Sequence, residues 1–393
     1  MTLGIGAPAL GQSTPGGATT TPGPLRLRGD AYAQTASPVG LLVMHGEDRL
    51  HPTVDAETVT WLGMTDGPAP TGDVLTLSVR MRELHSGSEV RAGRLLVSMG
   101  AVRPVHLDGA RGLVRLEGGT TVEAFGGVPV VRRFDYQTFD WATGGRIGQS
   151  VGGVLSVGAS YLQRRSDGRP ADEEAGADML LTPRPWLSAA ARAALDLNTR
   201  GPTDMLGSIG AHSKDVRGEL FTTYRSPGRL LPSTSLFSVL GDFATTNTGA
   251  SLRWRAFPRL ELVGTGSAQV QASQVGGQGS GRATLALDDE WSGVLGVEGR
   301  RVSVGDARWS GLRFIAGVPV STRVRVATEL ELVVPDAPGG RPPVWPWALG
   351  AVSYRFARSW DMAAGVEAST GPVDRGVVAG LARLSYFFDG STR

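Results

Sequence analysis

Three groups of residues in this 393-residue chain have types and spacings that could support chemistry. His106 and Asp108 are two positions apart, so a strand would point both side chains to one side. With Ser98 they supply the residue types of a serine hydrolase. The acidic run 288–290 could bind calcium through clustered carboxylates. The glycine cluster 276–281, GGQGSG, has the small residues of a phosphate-binding loop.

Each group has a more ordinary reading. A histidine beside a turn-forming Asp-Gly is commonly a loop residue, and three acids in a tight turn are commonly solvated. The glycine cluster 276–281 lacks the lysine of a phosphate loop, so we predict an ordinary loop there. The five histidines form no close metal pair, and the absence of cysteine excludes disulfides, iron–sulfur clusters and thiolate zinc sites. We therefore predict no catalytic residue, no metal and no cofactor.

The spacing of the charged residues in 321–334, STRVRVATELELVV, indicates the type of secondary structure that positions them. Taken two at a time, one face carries Arg323, Arg325, Glu329 and Glu331, and the other carries only aliphatics and threonine. Successive side chains leave opposite faces of a β-strand, so this alternation predicts a strand with one apolar and one charged face.

The same period-2 pattern recurs from residue 186 to the C-terminus. Short turns, such as 257–259, 288–290 and 357–359, alternate along the chain with longer Gly/Pro-rich connections, such as 225–247 and 335–346. Strands of nine to eleven residues, an apolar outer face and this alternation of connection lengths are typical of a transmembrane β-barrel. A soluble β-sandwich or β-solenoid would need a second layer over the apolar face, and we find no helical period to supply one.

We therefore predict an all-β fold, a single large antiparallel transmembrane β-barrel with short periplasmic turns and long extracellular loops. Nineteen strands can be counted from residue 73, and 25–63 adds one to three, so we expect about 20 strands, with 16 to 22 acceptable. Residues 1–24 are predicted to be the remnant of a signal peptide followed by a flexible linker, and 25–393 the barrel. The partly apolar loop 225–247 is a candidate to fold inward as a constriction.

The composition of the chain excludes some classes of binding partner and of membrane segment. The net charge is +2 with no basic excess, which argues against nucleic acid, and no run of 18 apolar residues could form a membrane helix. Aromatic residues beside the short turns are predicted to form a membrane girdle, the ring of aromatics that flanks a barrel's apolar belt. These are Trp254, Trp291, Tyr354, Phe356, Trp360, Tyr386 and Phe388.

The inward-facing charges are the feature that we expect to carry function. Arginines and acids on the wall of a pore select solutes by charge and size. The predicted pore-lining residues are Arg253, Arg255, Glu261, Arg282, Glu298, Arg300, Arg313, Arg323, Arg325, Glu329, Glu331, Asp361, Glu367 and Arg383. The same residues could instead be paired wall residues of a closed or plugged lumen.

The last strand carries a resemblance. In 376–393, GVVAGLARLSYFFDGSTR, one face ends in Leu384, Tyr386 and Phe388. It resembles the C-terminal strand by which Gram-negative outer-membrane barrels are recognised by their insertion machinery. The resemblance implies a bacterial outer-membrane location, with the C-terminus in the periplasm.

Segment 90–127 adds a second resemblance. Its Gly93-Arg94, Asp108-Gly109 and Phe125-Gly126-Gly127 resemble a pattern in porin-type barrels, which implies class membership and assigns no substrate. We expect a porin-like channel for passive diffusion of small hydrophilic solutes, with a mild anion preference if the arginines dominate the constriction, and no enzyme activity. The alternatives are a non-conducting barrel serving as scaffold, adhesin or assembly component, and an outer-membrane hydrolase. The oligomeric state stays open.

Overall fold

A computed structural model describes most of the chain. The described residues are 25–35, 39–64, 70–130, 140–226, 244–271, 274–305, 307–337, 344–370 and 376–390. The predicted signal remnant and linker, 1–24, therefore lies outside the described residues.

The described residues form one closed antiparallel sheet of 22 strands. The strands are β1 (Arg26–Gln34), β2 (Val39–His51), β3 (Val54–Met64), β4 (Thr71–Arg82), β5 (Glu89–Val97), β6 (Val105–Arg115), β7 (Thr120–Pro129), β8 (Trp141–Val151), β9 (Leu155–Ser166), β10 (Arg169–Arg184), β11 (Leu187–Asp196), β12 (Gly201–His212), β13 (Val216–Arg225), β14 (Thr245–Phe257), β15 (Leu260–Gln271), β16 (Gln274–Ala286), β17 (Val294–Val304), β18 (Ala307–Pro319), β19 (Val324–Pro335), β20 (Trp345–Ala357), β21 (Trp360–Ser369) and β22 (Val377–Asp389). Each strand pairs with the next in sequence.

Pairing of β1 with β22 closes the barrel, with Arg26 opposite Asp389 and Gln34 opposite Leu381. Closure leaves no free sheet edge, so each strand finds a partner on both sides. The prediction of a single large antiparallel barrel is confirmed, and the 22 strands fall within the expected range. Nineteen of them, β4 to β22, correspond to the nineteen counted from residue 73, and β1 to β3 account for the rest.

The two ends of the barrel differ. The first and last described residues of the chain lie at the same end of the barrel, where the Gly390 amide donates to the Leu25 carbonyl oxygen at 3.0 Å. We call this the terminal end and the opposite one the far end. The longest connections, 130–140 and 226–244, are at the far end, as predicted. Other far-end connections are short, such as 167–168 between β9 and β10.

The glycine cluster 276–281 corrects one expectation. It was predicted to be a loop, but it lies inside β16, paired with Thr265–Gln269 of β15 on one side. Glycine lowers strand propensity, yet pairing on both sides in a closed sheet overrides that local preference. The cluster is therefore wall, not loop.

The outer face of the barrel is apolar and exposed. Leu77, Leu96, Ile147 and Leu220 are each about 60% exposed, at 59%, 63%, 63% and 62%. They alternate with buried or polar side chains on the same strands, so one face of the sheet is an apolar belt that no other described segment covers. Within the described residues, no helix is long and apolar enough to cross a membrane.

A small apolar core lies on the inner side of the wall. It comprises Leu95, Val97, Met99, Val102, Val105, Leu107, Phe125, Ala142 and Leu162. Most belong to β5 to β9, but Met99 and Val102 come from the connection between β5 and β6. An apolar core at this position indicates that the connection is folded against the wall.

Candidate functional site in the barrel lumen

Segment 98–104, which connects β5 to β6 at the far end, is folded into the lumen. Met99, Ala101 and Val102 are 2%, 0% and 3% exposed. The Ala101 amide lies 3.4 Å from Ser160 Oγ of β9, three strands beyond β6. A connection this short reaches β9 with its apolar residues buried only if it crosses the inner face of the barrel.

Arg103 fixes the end of the segment. Its Nε and Nη2 donate to Glu174 Oε1 at 2.9 and 2.7 Å, and its backbone amide donates to Oε2 at 2.9 Å. Its guanidinium also reaches Asp172, which pairs with Arg164 at 2.5 Å. These are charge-assisted bonds among mostly buried groups, so this end of the segment is tied to β9 and β10.

Two glycines allow the close approach. A Cβ on Gly100 would lie 2.4 Å from Asp178 Oδ1, and φ there is +50°. A Cβ on Gly176 would lie 2.8 Å from the Cβ of Ala101. Larger residues at either position would push the segment off the wall.

Most of the predicted pore-lining residues lie on the inner face of the second half of the barrel, and nine of them pair with one another. Arg253 bonds Glu261 at 2.6 Å, Arg300 bonds Glu298 at 2.7 Å and Glu331 at 3.2 Å, Arg313 bonds Glu329, and Arg383 bonds Asp361 at 3.2 Å. Glu367 accepts a hydrogen bond from Trp347 Nε1 at 2.6 Å. That they line a conducting pore stays a prediction.

A basic cluster lies in the half of the lumen near the terminal end. Arg253, Arg255 and Arg282 share a cavity of about 420 Å³ with Glu261, a net charge of +2. Arg217 of β13 is directly opposite Arg253 in register. Like charges opposed across a strand pair disfavour the sheet, so this arrangement is a local cost that concentrates positive potential at one place in the lumen.

Two further arginines of the predicted set, Arg323 and Arg325, lie at or just before the start of β19. Arg325 is in β19, and its Nη2 would lie 3.2 Å from a Cβ built on Gly317 of β18. Arg323, predicted to be part of the strand, instead lies in the turn before β19, where its amide bonds Ser321 Oγ at 3.2 Å.

Comparison with solved structures finds large outer-membrane barrels. The siderophore receptor PirA from Pseudomonas aeruginosa matches with TM-score 0.60 at 9% identity, over 93% of this chain and 80% of that one. A ferric enterobactin receptor, PfeA, matches with TM-score 0.61 at 8% identity, over 93% and 82%. The P pilus usher (PapC) translocation pore matches with TM-score 0.53 at 8% identity, over 93% and 99%. The chain has the fold of Gram-negative outer-membrane β-barrels. At these identities the likeness concerns the fold. Neither a family model nor a curated protein matches the chain.

Four of the seven predicted girdle residues lie next to one another in this barrel. Around the closure of the barrel, four rings form a continuous row on the outer face near the terminal end. Ring centroids are 6.3 Å apart for Tyr354 and Phe356, 6.0 Å for Phe356 and Trp360, and 4.7 Å for Trp360 and Tyr386. Their role at a membrane interface stays a prediction.

The other three girdle residues do not join this row. Phe388 lies two residues beyond Tyr386 on β22, and Trp254 is 46% exposed on β14. Trp291 is placed elsewhere. It lies in connection 287–293 with φ +58°, its ring centroid is 5.6 Å from the Arg255 guanidinium carbon, and it lines the basic cavity instead of the apolar outer face.

Sequence reasoning missed the ion pairs of the first half of the barrel. They include Arg80–Asp55, Arg91–Glu57, Arg111–Glu123, Arg146–Asp178 and Arg192–Asp204. The period-2 alternation of arginine and acid in β3 to β12 could have indicated them. Segment 98–104, SMGAVRP, carries no period-2 alternation of charge that could have indicated its position.

The residue groups that suggested other chemistry have ordinary partners. His106 Nε2 lies 2.7 Å from the Leu75 carbonyl oxygen, and both carboxylate oxygens of Asp108 accept from Arg94 at 2.7 and 2.9 Å. Asp108 therefore orients an arginine, not the histidine. At 288–290, Asp288 accepts from the Ser292 amide and hydroxyl, which caps the connection. These hydrogen bonds lower the pKa of Asp288.

Loop 225–247 was the predicted constriction. Residues 227–243 lie outside the described residues, so that expectation stays a prediction. Segment 98–104 is an inward-folded connection that the sequence analysis did not identify.

Proposed function

We propose that this outer-membrane barrel is a channel for passive diffusion of small hydrophilic solutes, with a preference for anions. The observation that carries the proposal is the inward-folded segment 98–104, tied to the wall through Arg103 and Glu174. A segment held on the inner wall narrows a lumen and gives it a defined cross-section.

The lumen is wide enough to hold such a segment and still leave an open path beside it. Twenty-two strands about 4.8 Å apart, tilted by about 40°, give a barrel roughly 45 Å across between backbones. Side chains and segment 98–104 reduce this width mainly on the side of β8 to β10. The wall itself is polar and charged, which suits hydrated solutes.

The anion preference rests on the basic cluster. Arg253, Arg255 and Arg282 outnumber Glu261 there, and Arg217 opposes Arg253. Positive potential in a confined aqueous path raises the local concentration of anions. No catalytic step and no cofactor are part of the proposal, and lipid, the barrel insertion machinery and small solutes are the proposed partners.

A second candidate is a non-conducting barrel that serves as a scaffold, an adhesin or an assembly component. A lumen built from 22 strands favours it, since most small-solute pores need fewer strands. The likeness to a translocation pore and to siderophore receptors concerns the same large fold.

Single-channel conductance of the refolded protein in a planar bilayer, under a salt gradient, tests the proposal. We expect discrete current steps and a reversal potential whose sign shows that anions permeate better than cations. Arg282→Glu and Arg325→Glu should each move that potential toward cations. A folded and inserted barrel that passes no current would overturn the channel and favour the second candidate.

A further inference from the structure

The inner wall of β13 to β21 holds a second cavity, of about 780 Å³, that the basic cluster does not share. It is toward the far end, because Trp309 is the third residue of β18 and Trp345 the first residue of β20, and both strands begin at that end. Three tryptophans, Trp309, Trp345 and Trp347, line it. Tryptophans facing the inside of a polar lumen are unexpected, since membrane interfaces are the usual place for them in a barrel.

The strand register brings the three rings to one patch. Trp345 and Trp347 are two residues apart on β20, so they face the same side. Trp345 is opposite Val333, and Val333 is opposite Gly311 on its other flank. A Cβ on Gly311 would lie 3.1 Å from the ring of Trp309, so that ring lies over the glycine. Gly311 is two strands, about 10 Å, from Trp345.

The polar groups around the rings are mostly neutral. Hydroxyl and amide side chains on the same wall include Asn247, Thr265, Ser267, Gln278, Ser280 and Thr370. Within the part of the chain that the structure describes, Asn247 Oδ1, Trp345 Nε1 and Thr370 Oγ1 are buried and have no hydrogen-bond partner. Buried polar atoms without partners are costly, so their presence around one cavity indicates that a bound polar molecule would be stabilised there.

The charged groups of the cavity are already engaged. Arg300 bonds both Glu298 and Glu331, and Glu367 accepts the Trp347 indole N–H. The Arg313 guanidinium carbon lies 5.9 Å from the Trp347 ring centroid, where it would repel a cation seeking that ring. The cavity therefore suits a neutral ligand better than an ion.

We propose that this tryptophan cavity is a binding subsite for neutral carbohydrate of about disaccharide size. The inference rests on the proposed channel function and names a solute class for it. The C–H face of a sugar ring packs against indole rings, while its hydroxyl groups exchange hydrogen bonds with the surrounding hydroxyl, amide and carboxylate groups. The subsite is near the far end, so a sugar entering from that side meets it before the basic cluster.

Tryptophan fluorescence of the folded protein in detergent, titrated with sucrose, tests the subsite. We expect a saturable change whose apparent affinity falls about tenfold in Trp345→Ala, the effect of losing one aromatic contact. Trp254→Ala, which removes an exposed ring from the outer face of β14, is the matched control and should leave the affinity unchanged. Gln278 also lines the cavity, so Gln278→Ala is the alternative test variant if Trp345→Ala does not fold.

The contrary results are distinct. No saturable response to sucrose, or equal affinity in wild type, Trp345→Ala and Gln278→Ala, overturns the subsite. A response to choline chloride but not sucrose, lost in the same variants, also overturns it and assigns the cavity to cations.

Conductance separates this inference from the channel proposal. A protein that binds sucrose but passes no current keeps the subsite and loses the channel. A protein that conducts without binding sucrose loses the subsite and keeps the channel. Sucrose added on the far-end side should reduce the ion current of wild type, and the same reduction in Trp345→Ala should need about ten times more sucrose. A current that sucrose does not affect in wild type counts against the subsite.

Discussion

The guanidinium of Arg103 bonds the carboxylate of Glu174 across 71 positions of sequence, at 2.7 and 2.9 Å. The two side chains are 10% and 1% exposed. One residue belongs to the inward-folded segment 98–104 and the other to the wall strand β10. This contact therefore joins the segment to the wall and sets how much of the lumen the segment covers.

Arg103→Ala should release segment 98–104 and raise the single-channel conductance. Removing one partner of a buried pair leaves the other charge unpaired and costs about 3–5 kcal/mol. The free energy of unfolding should fall by a similar amount in urea titrations. Arg259→Ala is the control, because its pair with Asp289 is exposed in connections at the terminal end. Conductance equal to that of wild type in a folded Arg103→Ala protein would show that the segment does not limit flow.

Arg282→Gln should reduce the preference for anions. One unit charge about 10 Å from an ion in water contributes about 0.4 kcal/mol, so the permeability ratio should fall by roughly a factor of two. Reversal potentials under a salt gradient measure it. Arg165→Gln is the matched control, since Arg165 stacks on Trp141, 5.4 Å away, on the outer face of the barrel. Equal shifts in both variants would contradict a specific role for the basic cluster.

Gly93→Ala should destabilise the barrel strongly. Its φ is +124°, and a Cβ there would lie 2.1 Å from the Leu77 carbonyl oxygen of the neighbouring strand. A backbone conformation that L-residues rarely adopt costs about 1–3 kcal/mol, and the steric overlap adds to it. Gly112→Ala on β6 is the control, because a Cβ there meets nothing within 4 Å. The two variants are compared by heat-modifiable gel mobility and urea unfolding, and equal stability would refute the steric argument.

Glu83 should titrate far below an ordinary glutamate. It lies in connection 83–88 at the terminal end, where the amides of Ser86 and His85 and the Ser86 hydroxyl donate to its carboxylate. These bonds lower its pKa from 4.5 to about 2. A depressed folded-state pKa means that this stabilisation is present above pH 4.5 and is lost as the pH falls through about 2. NMR titration of the Glu83 carboxyl carbon measures the shift, with a peptide of 83–88 as the unfolded reference, and a midpoint near 4.5 in the barrel would contradict it.

The sequence by itself determined the barrel. Because side chains alternate across a strand, the pattern of 321–334 separates an inner charged face from an outer apolar face without any knowledge of the fold. Glu331 is 7% exposed and bonds Arg300, while Leu330 on the next position is 42% exposed. The pattern also indicated the turn 357–359 and the strand number within two. These features are local or periodic, so they are readable from spacing alone.

Tertiary structure decided what enters the lumen. Nothing in the sequence of segment 98–104 places it in the lumen, and its contacts with β8 to β10, with room at Gly100 and Gly176, hold it against the inner wall. Trp291 reads as a girdle residue, but connection 287–293 turns it toward Arg255. The tryptophan cavity depends on which residues of β18, β19 and β20 stand opposite one another. Register and long-range contacts are set by closure of the whole sheet, and no short stretch of sequence contains them.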